Sequence, residues 1–508
     1  MEENLNHTES IDLEKEGIVK NKLNKYIIII PIISIILALI IIIINIILIV
    51  DNKGEGKNKI DDNEKNIENN PDKENNNNGD NNKNNECEIG ENDKCLTCVN
   101  GVCGSCNYRY ELINGICKST FSFKAIYETD VKNENIELIN FSFKNNIIDL
   151  EIDEKKVEPY TEYTFNFPGN HTVYITMDIS NLDDLFLMFD GIERLTSIYF
   201  TKEFDTQNII SLRKMFNSNK KLTTVDISNF NTTNVEYMDY LFSDCESLIS
   251  IKLPNTINEK LESISYMFAN CISLTSIDLS NFDTKNVNYM TSLFAGCKNL
   301  KYINISHLNT ENAIKMDDMF FNCHSLININ LSNFNTEKVV NMENLFRGCS
   351  SLISIDLSSF KTPNLEVIEN MFQDCHSLKY INFSSNFKTI KIDSMAHLFD
   401  ECFSLISIDL SNFNTKNVKK MNYMFYRCTS LSSINLSNFN NEKVKDIDYM
   451  FADCHNLIYL DISGFSEISL SYKTIFNNIS SVGTIKLRRA MYNKIKEFIP
   501  AKWETKFI

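Results

Sequence analysis

A cysteine returns every 26 residues, at Cys245, Cys271, Cys297, Cys323, Cys349 and Cys375, and after one extra residue again at Cys402, Cys428 and Cys454. A unit of that size cannot bury its apolar face alone, so so strict a period restricts the chain to a solenoid in which each repeat stacks on the last. A phenylalanine three residues before each cysteine carries the count further in both directions, from Phe189 and Phe216 through Phe242, Phe268, Phe294, Phe320, Phe346, Phe372, Phe399, Phe425 and Phe451 to Phe476. That makes about twelve coils, with Asn219 in the cysteine column of an early one.

The repeated phrase is clearest at residues 274–297, LTSIDLSNFDTKNVNYMTSLFAGC, and returns at 326–349 as LININLSNFNTEKVVNMENLFRGC. Its first part alternates, with Leu274, Ile277 and Leu279 facing inward and Ser276, Asp278 and Ser280 outward, as in a short half-buried strand. Phe282 closes the strand. The second part has a helical period: Thr284 is expected as N-cap, and Val287, Met290, Phe294 and Cys297 fall on one stripe. Thr362-Pro363 fits a helix start, and Gly296 and Gly348 fit helix ends. Each unit therefore reads as strand, turn, helix, turn, and the fold as an α/β repeat solenoid over residues 182–487.

The L-x-x-[IL]-x-[LI] strand is that of leucine-rich repeats, and the fuller LSNFNTxxVxxMxxMFxxC phrase resembles the BspA-type repeats of microbial and protist surface proteins. The resemblance implies a leucine-rich-repeat-like fold in a microbial eukaryote, displayed for attachment to host or matrix proteins. The asparagine that usually follows the strand is offset here, Asn281 preceding Phe282, so an ordinary asparagine ladder is not expected.

Upstream, residues 26–50 are uncharged and mostly isoleucine, long enough to cross a bilayer as a helix. The run ends Leu48-Ile49-Val50-Asp51 rather than in small residues, which favours an uncleaved signal anchor over a cleaved signal peptide. Lysines nearly balance across it, with the cluster Lys20, Lys22, Lys25 favouring a cytoplasmic tail at 1–25. Residues 51–86 contain almost nothing to bury and read as a disordered Asn-rich stalk.

Cys87, Cys95, Cys98, Cys103, Cys106 and Cys117 form an even set in a segment, 87–118, too short to hold itself together by apolar burial. Beside a membrane span this reads as a disulfide-stapled module. Zinc through Cys95, Cys98, Cys103 and Cys106 is the rival, with an unusually short separation between the two knuckles. The run CLTCVNGVCGSCNYRYELINGIC resembles furin-like or growth-factor-receptor cysteine-rich modules. Oxidised cysteines would put residues from 51 onward outside the cytoplasm, giving a single-pass type II protein of the plasma membrane with extracellular repeats.

Residues 119–181 show short strand patterns at 137–143, 147–152, 161–167 and 172–179, with a turn at Pro168-Gly169-Asn170, and are expected to form a small β domain that caps the first coil. At the other end, residues 488–499 form an amphipathic basic pattern followed by Pro500 and Trp503, so 488–508 reads as a C-terminal cap.

Among the repeats, nine cysteines in register project in parallel, which leaves them as buried packing residues rather than disulfides. Histidine follows cysteine at His324, His376 and His455, but these lie two and three coils apart and cannot share one ion. No metal or cofactor is expected. No nucleophile with a base, phosphate loop or isolated carboxylate pair is apparent either, so the chain reads as a non-enzyme. The outward strand columns carry Asp278, Asp356 and Asp409 beside Tyr302, Tyr380 and Tyr459, a candidate ligand face for an extracellular protein or glycan. The net charge of −17 argues against a nucleic-acid partner. A structural surface coat or antigenic display protein without a specific ligand is the alternative.

Overall fold

The computed structural model describes residues 120–508 apart from 201–205, 256 and 467–471, and the backbone of four short strands between residues 95 and 118. The expected tail, membrane span and stalk, residues 1–86, lie outside the described residues. Among those described, no helix is long and apolar enough to cross a membrane.

The short strands form two hairpins, Cys95–Val99 with Val102–Cys106 and Glu111–Ile113 with Ile116–Lys118. In the first, the backbone sets Cys95 opposite Cys106 and Cys98 opposite Cys103. Thr120–Thr129 then forms a ten-residue strand in strict alternation, burying Phe121, Phe123, Ala125 and Tyr127. It pairs antiparallel with Gly169–Asp178 on one side and with Leu195–Phe200 on the other. Leu195–Phe200 in turn pairs parallel with Thr224–Asp226, so the β region and the first coils share one seven-stranded sheet. The expected strand at 137–143 is instead the end of Glu134–Glu137 and a 3-10 turn at Phe141–Asn146, where the Asn140 side chain takes the Ser142 N–H at 3.0 Å.

Most later coils add a strand of three or four residues, and these pair parallel and in register, as in Ser276–Asp278 against Tyr302–Asn304 and Ser354–Leu357 against Tyr380–Phe383. The one coil between those two pairs, at 326–331, and the one at 405–410 carry no regular strand.

The expected helix does not form. Among the described residues the repeats contain no helix, and the segment from Met238 to Cys245 shows why. Alternate N–H groups close local turns: Leu241 donates to Met238 O, Ser243 to Tyr240 O and Cys245 to Phe242 O, at 3.2–3.3 Å. The N–H groups between them run along the solenoid axis to the next coil, from Met238 to Ser263 O, Tyr240 to Ser265 O, Phe242 to Met267 O and Asp244 to Ala269 O, at 2.8–3.0 Å. An α-helix would direct every one of these donors back along its own chain. Turning alternate donors outward requires left-handed residues, and the backbone supplies two per coil, two positions before and two after the phenylalanine: Tyr240 and Asp244, Ser292 and Gly296, Asn344 and Gly348. Gly296 (φ +74) and Gly348 (φ +75) occupy the second of these sites rather than ending helices.

Thr284 is likewise not an N-cap. Its buried hydroxyl donates to Asn309 O at 2.9 Å and accepts the Asn309 N–H at 2.8 Å, joining one coil to the next. Thr310, Thr336, Thr362, Thr389 and Thr415 repeat the two-way bond, and Asn441 replaces threonine with its amide. A second, exposed ladder uses asparagine: Asn286 Nδ2 reaches Glu259 O and Asn312 Nδ2 reaches Lys285 O, both at 2.8 Å.

The core is one column. From Phe189 to Phe476 twelve phenylalanine rings stack with centroids 5.3–6.3 Å apart and planes within 18° of parallel. Beside it the nine cysteines are free and buried. Each thiol donates to the carbonyl of the phenylalanine one coil back, Cys297 to Phe268 O at 3.0 Å for example. Asn219, in the same column, sends Nδ2 to Phe189 O at 2.6 Å.

At the far end the basic stretch forms a shorter helix than expected, Arg489–Ile495, burying Met491 and Ile495. Lys502–Phe507 follows as a strand parallel to Val482–Leu487, and Trp503 donates to Ser480 O at 2.7 Å.

Candidate functional site

From the coil that opens at Leu248 to the one that opens at Leu431, the same three positions turn outward: the residue after the inward leucine, its neighbour, and the residue two further on. In the coil that opens at Leu274 these are Thr275, Ser276 and Asp278, all exposed, between buried Leu274, Ile277 and Leu279. Stacking converts three positions into three columns along the sheet.

The tyrosines of the middle column stand out of the surface. Tyr302 is 65% exposed, Tyr380 52% and Tyr459 36%. A groove of about 510 Å³ opens beside the first, and Tyr302 and Asp278 line it together with Ile249, Ile251, Asn304 and Asn328. The three tyrosines stand in separate coils, at positions 302, 380 and 459, and so form three contact points on one face rather than one cluster.

The acidic column has a local task that its exposure hides. Oδ1 of Asp278 accepts the Ser280 N–H at 2.9 Å, Asp356 the Ser358 N–H at 3.0 Å and Asp409 the Ser411 N–H at 2.9 Å. Asn330 and Asn435 do the same for Ser332 and Ser437. Each side chain thus closes the turn that ends its strand, which is a reason for Asp or Asn at this position independent of any ligand. The same backbone N–H, followed by the serine hydroxyl, holds the Asp278 and Asp356 carboxyls below the usual aspartate range, so both stay charged. At the end of the column Asp461 is not outward at all: it is 3% exposed, with Lys486 Nζ 3.1 Å from its carboxylate.

One component of the face was missed in the sequence. The first outward column carries isoleucine in several coils, and Ile249, Ile327, Ile353, Ile406 and Ile458 are all exposed. The signal was present in the phrase Leu-Ile-Ser-Ile of residues 248–251 and 352–355, where adjacent residues of an extended chain point to opposite faces, so an inward leucine leaves the isoleucine directly after it outside. The face therefore combines apolar, aromatic and acidic columns.

The cysteine column offers no reactive group. Burial pushes every thiol up, Cys297 and Cys454 to about 12, and leaves them protonated. The three histidines that follow cysteine do not meet one another. His324 Nδ1 and His455 Nδ1 each lie 2.8 Å from a backbone oxygen of the next coil, Gly348 O and Asn478 O. His376 differs: its Nε2 faces Asp374 at 3.9 Å and Glu401 at 3.7 Å. Of the six cysteines of the expected module, Cys87 lies outside the described residues and the other five are described in backbone only.

No curated protein matches the chain. Similar solved structures include a leucine-rich repeat protein from Eubacterium ventriosum, 15% identical, covering 57% of this chain and 84% of that one with a TM-score of 0.26. The TLR13–ssRNA13 complex is 15% identical over 55% of this chain and 58% of that one, TM-score 0.17. The functional domain of InlJ from Listeria monocytogenes, described as including a cysteine ladder, is 10% identical over 74% and 81%, TM-score 0.16. A family model described as "Mycoplasma protein of unknown function, DUF285" matches residues 164–275, 262–383 and 379–484, which together span well over half of the 508 residues. The chain therefore belongs to the DUF285 family of repeat proteins.

Proposed function

We propose that this chain is a non-enzymatic recognition protein of the cell surface, which uses the outward sheet face of its solenoid to hold an extracellular protein or glycan. The observation that carries the reading is Tyr302, 65% exposed at the rim of the groove it shares with Asp278 and the exposed Ile249. A large, stiff aromatic beside apolar and charged side chains supplies contact area at little entropic cost, and such residues anchor protein interfaces. Tyr380 and Tyr459 supply further anchors along the same face, and the fixed charges of Asp278 and Asp356 suit a ligand with basic groups. The net charge of −17 makes nucleic acid a poor partner. Residues 26–50 are the proposed anchor of a single-pass type II topology at the plasma membrane. The six cysteines at 87–118 form the proposed disulfide module, and residues 119–181 and 488–508 cap the solenoid.

The test is binding of the purified chain to cells and matrix before and after Tyr302, Tyr380 and Tyr459 are changed to serine. Loss of binding with an unchanged melting temperature supports this face; undiminished binding refutes it. Protease treatment of intact cells tests the topology, since cleavage of the repeats only after permeabilisation would overturn the surface location. A second reading, a structural coat without a ligand, is favoured by the turn-closing role of the acidic column, and predicts that the triple variant changes no binding at all.

A further inference from the structure

Asp374, His376 and Glu401 converge where two successive coils turn. Asp374 (φ +61) and Glu401 (φ +57) are the left-handed residues that precede Cys375 and Cys402, so their carboxylates stand one coil apart in the same column. His376 follows Cys375 and sits between them. Its Nε2 is buried, has no hydrogen-bond partner, and lies 3.9 Å from Asp374 Oδ1 and 3.7 Å from Glu401 Oε2. One ligand atom from each of the three falls within 4.8 Å of the other two.

Three features separate this cluster from an ordinary acidic surface. First, the column that runs Asp244, Asn270, Gly296, Asn322, Gly348, Asp374, Glu401, Arg427, Asp453 places two carboxylates in succession only here. Elsewhere an acid has an amide neighbour, as when Asn270 Nδ2 reaches Asp244 at 2.8 Å. Second, the flanking arginines take the outer oxygens and leave the inner ones free. Arg427 Nη1 is 2.6 Å from Glu401 Oε1 and Arg347 Nε is 3.9 Å from Asp374 Oδ2, while Oε2 and Oδ1 face the imidazole. Third, the imidazole is held flat against Phe403, with centroids 4.7 Å apart and planes 14° from parallel, so its nitrogen is aimed rather than free to turn.

From these positions we propose that Asp374, His376 and Glu401 bind a divalent cation of the zinc type, with solvent at the remaining coordination position. Imidazole nitrogen and carboxylate oxygen are both zinc ligands at about 2.0–2.2 Å, which in a tetrahedron puts ligand atoms roughly 3.3 Å apart. The observed 3.7 and 3.9 Å need a contraction of a few tenths of an ångström, within reach of side-chain rotation. Contact with a cation would also satisfy the buried nitrogen that lacks a partner. The placement gives the ion a structural task. The coil between Cys375 and Cys402 carries the extra residue of the cysteine register, and the ladder of single parallel bridges that runs from Asp184 to Val367 resumes only at Ser394. An ion held by Asp374, His376 and Glu401 pins the two coils together across that irregularity.

The experiment titrates zinc into the full-length chain by calorimetry at pH 7.5 and follows melting temperature with and without the ion. It compares wild type with His376→Phe, Asp374→Asn and Glu401→Gln. Phenylalanine keeps a flat ring over Phe403, and asparagine already stands at left-handed Asn270 and Asn322 in the same column. The expected result is one zinc equivalent more for the wild type than for each variant, at least a tenfold loss of affinity per ligand removed, and a zinc-dependent rise in melting temperature that only the wild type shows. Metal-free melting temperatures should agree. Equal stoichiometry and affinity in all four proteins overturns the site, and so does zinc uptake that responds only to replacement of Cys95, Cys98, Cys103 and Cys106.

Discussion

Replacing Thr336 with valine tests whether a two-way hydroxyl holds each coil to the next. Thr336 is fully buried; its hydroxyl donates to Lys361 O at 2.8 Å and accepts the Lys361 N–H at 2.9 Å. Valine has nearly the same shape, so the change opens no cavity and isolates the polar term. It leaves one carbonyl and one amide of the same residue without partners, and each buried group left unpaired costs about 1–3 kcal/mol. Because the Lys361 side chain reaches solvent, water partly relieves both, and the expected loss is roughly 2–4 kcal/mol. Thr336→Asn should cost less than about 1 kcal/mol, since Asn441 already performs the task in its own coil with Nδ2 3.2 Å from Ser466 O and Oδ1 2.8 Å from Ser466 N. The assay is urea unfolding followed by circular dichroism, together with hydrogen exchange at the Lys361 amide. A loss of 2 kcal/mol corresponds to about thirtyfold faster exchange. In a stack where each unit touches only its neighbours, the damage should localise to that coil boundary. A valine variant that unfolds at the wild-type midpoint, or an asparagine variant as damaged as the valine one, would refute the reasoning.

Two further outcomes follow from the charges and thiols. Burial, and then the neighbouring Asp317, hold the Asp318 carboxyl above the usual aspartate range, so its contribution to stability is present at low pH and lost as pH rises through the raised folded-state value. Asp318→Asn, at a left-handed position that asparagine tolerates, should therefore stabilise the chain at pH 7–8 by less than about 1 kcal/mol. The advantage should shrink as pH falls toward about 4; a difference in melting temperature that is flat with pH counts against this account. The nine repeat thiols should take up no iodoacetamide at pH 8 in the native chain and all nine should react in denaturant, counted by peptide mass. Labelling of any one of them without denaturant would show that the core opens there.

What could be read from the chain was whatever depends on period and polarity. The 26-residue interval, the phenylalanine column and the inward Leu274, Ile277 and Leu279 follow from the need to bury apolar side chains by stacking, and the structure keeps them all. Burial of the cysteines was legible for the same reason. The helix was misread because Val287, Met290, Phe294 and Cys297 recur at three and four residues, a spacing that turns closing every second peptide also produce. A corrective signal stood beside them: the residue before the cysteine is Asp244, Asn270, Gly296, Asn322, Gly348, Asp374 and Asp453 in seven of nine coils, the types that accept a left-handed backbone.

Hydrogen-bond direction had to come from the tertiary structure. Which carbonyl a peptide N–H meets once it leaves its own turn depends on a chain segment about 25 residues away, which the local pattern does not name. That one fact moves Thr284 from helix cap to rung. The meeting of His376 with Asp374 and Glu401 has the same origin: residues 374 and 401 are far apart along the chain and become neighbours only when one coil is laid on the next. Composition and period sufficed for a solenoid, because burial is a property of the whole unit. The rungs, the outward face and the side-chain meetings between coils were decided by stacking, because each is a contact between residues that the chain itself keeps a full turn apart.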